Sequence, residues 1–305
     1  MRQRAIAKIL DLAVLDERVV FIGSDLGPGV LDAMKERFPD RFFMEGVSEA
    51  NIIGMAAGLA MDGYIPYINT IATFLTRRCL DQIVVDLCLE NLPVRLIASG
   101  GGLVYAPLGP THIAFDDIGL LRTIPNMTIA APCDAPEMER LMDNSLDWPG
   151  PLYIRVAKGG DPVVSDPVAP FALGRAITMR EGSSVLIVAT GVMTTRALAA
   201  AERLAARGID CTVLHMHTIK PLDEAAILRH LPAAGLVVTI EEHSAIGGLG
   251  SAVTDLLVAQ AGRPRYLRLA LEDRFPTGYG SQEHLLTLAG LDLDSIVRRI
   301  AEAAP

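Results

Sequence analysis

Two hydrophobic periods take turns along the chain. Short apolar runs at 19–23, 64–71, 94–98, 127–130 and 152–156 read as strands buried on both faces. Between them, residues 49–61, 76–90 and 134–146 carry helical spacing, and the N-terminus leads directly into an amphipathic helix. The alternation stops at 158–170, where three prolines and two glycines in thirteen residues make a linker composition. It then restarts, with strands expected at 184–189, 211–216, 236–241 and 266–271 and helices at 193–207, 223–230, 249–261 and 293–303. Strand–helix alternation implies crossover helices over parallel sheets. The pattern predicts two α/β domains with mainly parallel sheets, residues 1–165 and 166–305.

Composition narrows the function. Of 305 residues half are apolar and only 5% aromatic, enough for two ordinary cores. A net charge of −9 argues against nucleic acid or an anionic membrane as partner. No apolar run approaches the about 20 residues of a membrane span, and the first residues lack a signal-peptide core. A cytoplasmic protein is expected. Cys79, Cys88, Cys133 and Cys211 form no C-x-x-C pair, which fits reduced, buried thiols.

Glu49 is the most informative single residue. It opens an apolar helix in which Gly54 and Gly58 recur at a spacing of four. Ser48 can cap that helix, and an acid in its first turn is favoured by the free amides. The glycines, however, each cost roughly 1 kcal/mol against Ala inside a helix, so their spacing points to close packing against another backbone. A carboxyl at the mouth of such a helix would be dehydrated and able to hold or share a proton near neutral pH. Thiamine diphosphate needs such a group, because its aminopyrimidine must reach the imino tautomer before the reactive carbon becomes nucleophilic.

Four further segments carry candidate chemistry. Phe74 follows the strand at 64–71 and offers a ring face where parallel sheets bind ligands, although a core role fits it equally. His112 closes Gly109-Pro110-Thr111-His112, a turn trailing a strand. The segment 241–251, with Gly247, Gly248 and Gly250, has a strand–glycine loop–helix layout but satisfies no phosphate-loop motif, which favours a tight turn with close helix packing. His215 and His217 share one strand face but have no third metal ligand nearby in sequence, so a structural role is expected. Also informative is an absence. The Gly-Asp-Gly…Asn pattern that holds Mg²⁺ against a diphosphate does not occur, and Gly159-Gly160-Asp161 lies in the linker.

Taken in order, Gly46-Val47-Ser48-Glu49, Thr73-Phe74-Leu75, Asp81-Gln82, Gly109-Pro110-Thr111-His112, Ile124-Pro125-Asn126-Met127, Met216 to Pro221 and Glu241-Glu242-His243-Ser244 resemble the C-terminal half of transketolase, here as a separate small subunit. They are also similar to the matching half of deoxyxylulose-phosphate synthase. The resemblance implies a pyrimidine-binding domain followed by a transketolase C-terminal domain that carries no catalytic group. It implies thiamine diphosphate as cofactor, with Mg²⁺ (or Ca²⁺) held by an N-terminal partner subunit in an α₂β₂ heterotetramer. A β–β dimer of the lone chain would cover the glycine-spaced helix. By the same resemblance Glu49 contacts N1′ of the aminopyrimidine, Phe74 and Arg77 line its pocket, and Asp25 lies close to the cofactor at the subunit interface. His112 would bond substrate oxygens near C2.

Departures from the family pattern bear on substrate. Leu108 stands where the family places an Asp that recognises the donor sugar, and Gly100 or Gly101 stands where it places a His or Arg for a sugar phosphate. Arg155 and Lys158 remain as cationic substrate candidates. The expected activity is transfer of a two-carbon ketol unit from a ketose to an aldehyde, with a non-standard sugar as donor. The alternative is a decarboxylating subunit like the synthase or the β subunit of a pyruvate dehydrogenase E1 component. Arg77 would then recognise an α-keto acid carboxylate. A regulatory subunit that kept the fold and lost activity is opposed by the joint presence of Glu49, Phe74 and His112.

Overall fold

The computed structural model describes every residue except 25–28, 30 and 263. Asp25 therefore lies outside the described residues. Twelve strands form among the described ones: β1 (Val19–Gly23), β2 (Phe42–Met44), β3 (Ile65–Ile71), β4 (Arg95–Ser99), β5 (Thr128–Ala130), β6 (Leu152–Val156), β7 (Ile177–Arg180), β8 (Val185–Ala189), β9 (Cys211–His215), β10 (Thr218–Lys220), β11 (Leu236–Ser244) and β12 (Arg265–Leu271). They build two sheets, ordered β10-β5-β6-β4-β3-β1-β2 and β12-β11-β8-β9-β7. All neighbours run parallel except β10 against β5 and β7 against β9. Two α/β units with mainly parallel sheets are present, as the alternation predicts.

Side-chain alternation along each strand feeds two cores per sheet. In the first sheet Ile22, Ile68 and Leu96 pack under the helix Glu49–Met61, and Phe21, Tyr67 and Ile97 pack on the opposite face under Arg2–Leu15 and Ala135–Ser145. In the second, Val185, Ile187 and Val213 face the helices Met193–Ala205 and Leu293–Ala303, and Leu186, Val188 and Leu214 face Glu224–His230 and Leu249–Val258.

Three features differ from the expectation. The helix expected at 76–90 is broken: Ala72–Thr76 ends, Leu80–Gln82 restarts, and Ile83–Cys88 continues as a π-helical turn. Strand β10 crosses the division expected near residue 165 and pairs with β5 of the first sheet. Finally, Gly54 and Gly58 are exposed, and a Cβ added at either would meet nothing within 4 Å among the described residues. No backbone among the described residues packs there, so the close neighbour implied by their spacing is not found among them.

Candidate active site

The site sits at the carboxyl ends of the first sheet's central strands, where parallel sheets leave a crevice. β3 runs into the short helix Ala72–Thr76, which presents Phe74 half-buried. The helix Glu49–Met61 begins beside it. Ser48 leaves the helix terminus uncapped and bonds instead to the carbonyl of Glu45 at 3.0 Å. Glu49 is 2% exposed, as expected of a dehydrated carboxyl, but its neighbour is a guanidinium: Arg78 Nη1 donates to Oε2 at 2.6 Å. The same guanidinium lies over the Phe74 ring, 4.3 Å from its centroid. His112 meets that ring edge-on at 5.1 Å, with Nδ1 2.9 Å from the Thr111 hydroxyl. Glu49, Phe74 and His112, drawn from three separate segments, are thus linked in one cluster, with Arg78 between the first two and Phe74 against the third.

Arg77 is placed elsewhere. Its guanidinium grips both oxygens of Asp116, at 2.7 and 2.8 Å, and donates to the carbonyl of Ile113 at 3.1 Å. The break in the helix lets these adjacent arginines diverge, so Arg78, which sequence reasoning passed over, takes the position beside Glu49 and Phe74. Its only signal was the Arg-Arg pair itself.

Arg155 also differs from its expected role as a substrate contact. It is 8% exposed, pairs with Asp117 at 2.8 and 3.1 Å, and donates to the carbonyls of Ala114 and Glu242 at 2.9 Å each. Tyr153 donates to the same Asp117 at 2.7 Å. Burial opposes ionisation of Asp117, but the charges of Arg155 and His243 outweigh it and hold the carboxyl below the usual range. Arg155 joins the two units, its guanidinium engaged by Asp117 and by the carbonyls of Ala114 and Glu242. Lys158 is exposed in the segment after β6, and Leu108 is half exposed at the end of a single helical turn (Ala106–Leu108) ahead of Gly109. A Cβ at Gly100 would lie 2.0 Å from the Tyr105 ring, and one at Gly101 would lie 2.4 Å from Arg155. The space for a larger side chain at those positions is already filled.

The glycine loop after β11 holds its own anion. Glu241 accepts from the amides of Leu249 and Gly250 at 2.7 Å each, the groups a phosphate would need. Gly247 lets the loop close on Gly119, where an added Cβ would stand 2.8 Å from Gly119 Cα. Tight turn and close packing account for the motif.

The histidine pair bonds to protein. His215 bridges Thr194 at 2.7 Å and Glu137 at 2.8 Å, and His217 stacks on Phe171 at 4.3 Å. Burial would raise the Glu137 carboxyl, but the charge and hydrogen bond of His215 overcome it and hold the group at about 2. Burial pushes His217 down to about 4, and its Nε2 has no partner among the described residues. The unfolded chain takes up a proton at His217 near pH 6.5 while the folded chain does not, so stability present above that pH drains as pH falls towards about 4. Glu137 acts in the same direction at lower pH. Urea unfolding at pH 5 should give a stability about 2 kcal/mol below that at pH 7. His217→Phe should flatten that slope; an unchanged slope would take His217 out of the account.

Comparison with known proteins gives the family of the chain. The profile of the transketolase pyrimidine binding domain matches residues 3–160, and that of the transketolase C-terminal domain matches 174–296. A 6-deoxy-6-sulfo-D-fructose transketolase subunit from Clostridium sp. (strain MSTE9) is 36% identical over 99% of this chain and 94% of its own length. The 1-deoxy-D-xylulose-5-phosphate synthase of Gloeobacter violaceus is 37% identical over 97% of this chain, which spans 47% of the synthase. A solved structure described as a split gene transketolase, an inactive beta4 tetramer, superposes with a TM-score of 0.91 at 34% identity, covering 99% of this chain and 97% of that one.

Proposed function

The chain belongs to the transketolase family, and from that premise we propose that it is the small subunit of a two-component, thiamine-diphosphate-dependent transketolase. The reaction is transfer of a two-carbon ketol unit from a ketose to an aldehyde. The observation that carries this reading is the clustering of Glu49, Phe74 and His112 at strand ends, linked by Arg78. A buried carboxylate beside an aromatic face suits an aminopyrimidine, with Glu49 at the ring nitrogen N1′ and Phe74 against the ring. What the cofactor would contribute is a nucleophilic carbon able to take up and release a two-carbon unit. His112 is set to hydrogen-bond the substrate oxygen on which charge develops.

The diphosphate half must come from another chain. Among the described residues, the one trio of His, Cys, Asp or Glu close enough to share an ion is Cys133, Glu137 and His215, all buried. Gly159-Gly160-Asp161 lies in coil after β6. We therefore assign a partner carrying Gly-Asp-Gly…Asn with Mg²⁺, two copies of each chain closing two equivalent sites. A similar chain whose structure is described as an inactive tetramer of β subunits supports that division of labour. The open face at Gly54 and Gly58 suits contact with a second copy. The lone chain is expected to show neither tight thiamine diphosphate and Mg²⁺ binding nor turnover. Mixing with the partner should produce both, with light scattering following assembly. Turnover by the lone chain would overturn the split-site reading, and CO₂ release from pyruvate by the mixture would replace ketol transfer with a decarboxylating reaction.

The donor is proposed to be a non-standard ketose. Leu108 offers no hydrogen bond, and Gly100 and Gly101 offer no cation. One similar subunit is itself named for a sulfonated ketose. Since a missing buried partner costs about 1–3 kcal/mol, Leu108→Asp should raise kcat/KM with common ketose phosphates by roughly 5–100-fold. No gain would shift the cause to the glycines.

A further inference from the structure

Arg78 touches both groups that the proposed function assigns to the cofactor ring, yet that function leaves it without a task. It stands in the break at 77–79, freed from helical direction. Its Nη1 holds Glu49 Oε2 at 2.6 Å while its guanidinium carbon sits 4.3 Å from the Phe74 centroid. The Glu49 side chain is 2% exposed and that of Arg78 is 45% exposed, so the guanidinium is the solvent-facing member of the pair.

A carboxylate side chain turns easily about its last torsion, which is broad and roughly two-fold. Fixing one oxygen through a charge-assisted bond fixes the direction of the other. The flat face of the same guanidinium restrains the Phe74 ring by cation–π contact. Arg77, one residue earlier, is fully engaged by Asp116 and cannot do this.

We infer that Arg78 is the positioning residue of the pyrimidine pocket: it pins Glu49 by Oε2, so that Oε1 is presented to the ring, and steadies Phe74. The inference rests on the proposed function. The opposing possibility is that the guanidinium, a planar cation like the protonated pyrimidine, occupies the ring's own seat and is displaced by it. The two predict effects of opposite sign on affinity.

The test uses this chain assembled with its diphosphate-binding partner and titrates thiamine diphosphate by calorimetry, with kcat measured in parallel. Arg78→Ala should weaken cofactor binding by about 10–100-fold and lower kcat, as loss of groups that orient a binding residue does. Arg78→Lys should recover part of both, because an ammonium can still hold Oε2 but cannot stack as a plane. In a Glu49→Ala background, where no side-chain oxygen is left to hold, removing Arg78 should cost much less affinity than it does in the wild type, since the residue acts mainly through Glu49. If Arg78→Ala fails to assemble, Arg78→Gln gives the same reading with part of the side-chain stem kept and the charge removed. Tighter binding in the Arg78 variants would identify the guanidinium as an occupant and overturn the inference; unchanged binding would make it a bystander and overturn it too. A wild-type complex that binds no thiamine diphosphate would instead remove the functional reading on which the inference stands.

Discussion

Glu49→Gln is expected to leave the chain folded and able to assemble while lowering turnover by about 10²–10⁴-fold, the usual contribution of a positioned proton-transfer group. Glutamine keeps the shape and can still accept from Arg78, the partner that holds the carboxylate at 2.6 Å. It cannot carry the charge or share the proton of the ring nitrogen. The residue is 2% exposed at the start of its helix, so no water can take over the task without rearrangement. Turnover at saturating thiamine diphosphate, with circular dichroism to confirm the fold, is the measurement. Near-normal turnover would take Glu49 out of the chemistry and with it the observation on which the proposed function rests.

Removing Asp117 should be costly for stability instead. Asp117 is fully buried and receives hydrogen bonds from Arg155 at 2.8 and 3.1 Å and from Tyr153 at 2.7 Å. Asp117→Ala leaves a guanidinium that is 8% exposed without its counter-charge, and breaking one side of a buried pair costs about 3–5 kcal/mol. Replacing both members with apolar residues of similar volume should cost far less, because the desolvation of both charges is then avoided. Urea unfolding of the single and double variants measures this. A loss below about 1 kcal/mol for Asp117→Ala would mean that Arg155 does not depend on it, and would return Arg155 to the list of substrate contacts.

The two arginines at 77 and 78 mark where sequence reading stopped. Strands and helices were legible because apolar periodicity is a local property: β1 and β6 fall at the residues expected, as do the helices Glu49–Met61 and Leu293–Ala303. The helix start at Glu49 was legible too, since an acid ahead of a run of small apolar residues fits the free amides of a first turn. Phe74 and His112 were found as residues at strand ends. Partnership was not legible. Arg77 finds Asp116 thirty-nine residues away, Arg78 finds Glu49 twenty-nine residues away, and Arg155 finds Asp117 thirty-eight residues away. Each arginine is chemically able to bind a ligand, and only the chain's return path decides which acid meets it first.

The same limit applies to larger pieces. The stretch holding β10 follows β9 after two residues, but it leaves that sheet and pairs with β5, through a hydrogen-bonding edge that no local pattern announces. The glycine loop after β11 is the tight turn its spacing favoured, but nothing local announced that Glu241 would occupy its amides. Apolar spacing by itself determined the elements, the two α/β units and the opening of the helix at Glu49. Tertiary contact decided which charges neutralise one another inside the protein and which stay at the pocket, because a buried charge takes whatever partner the fold brings within reach.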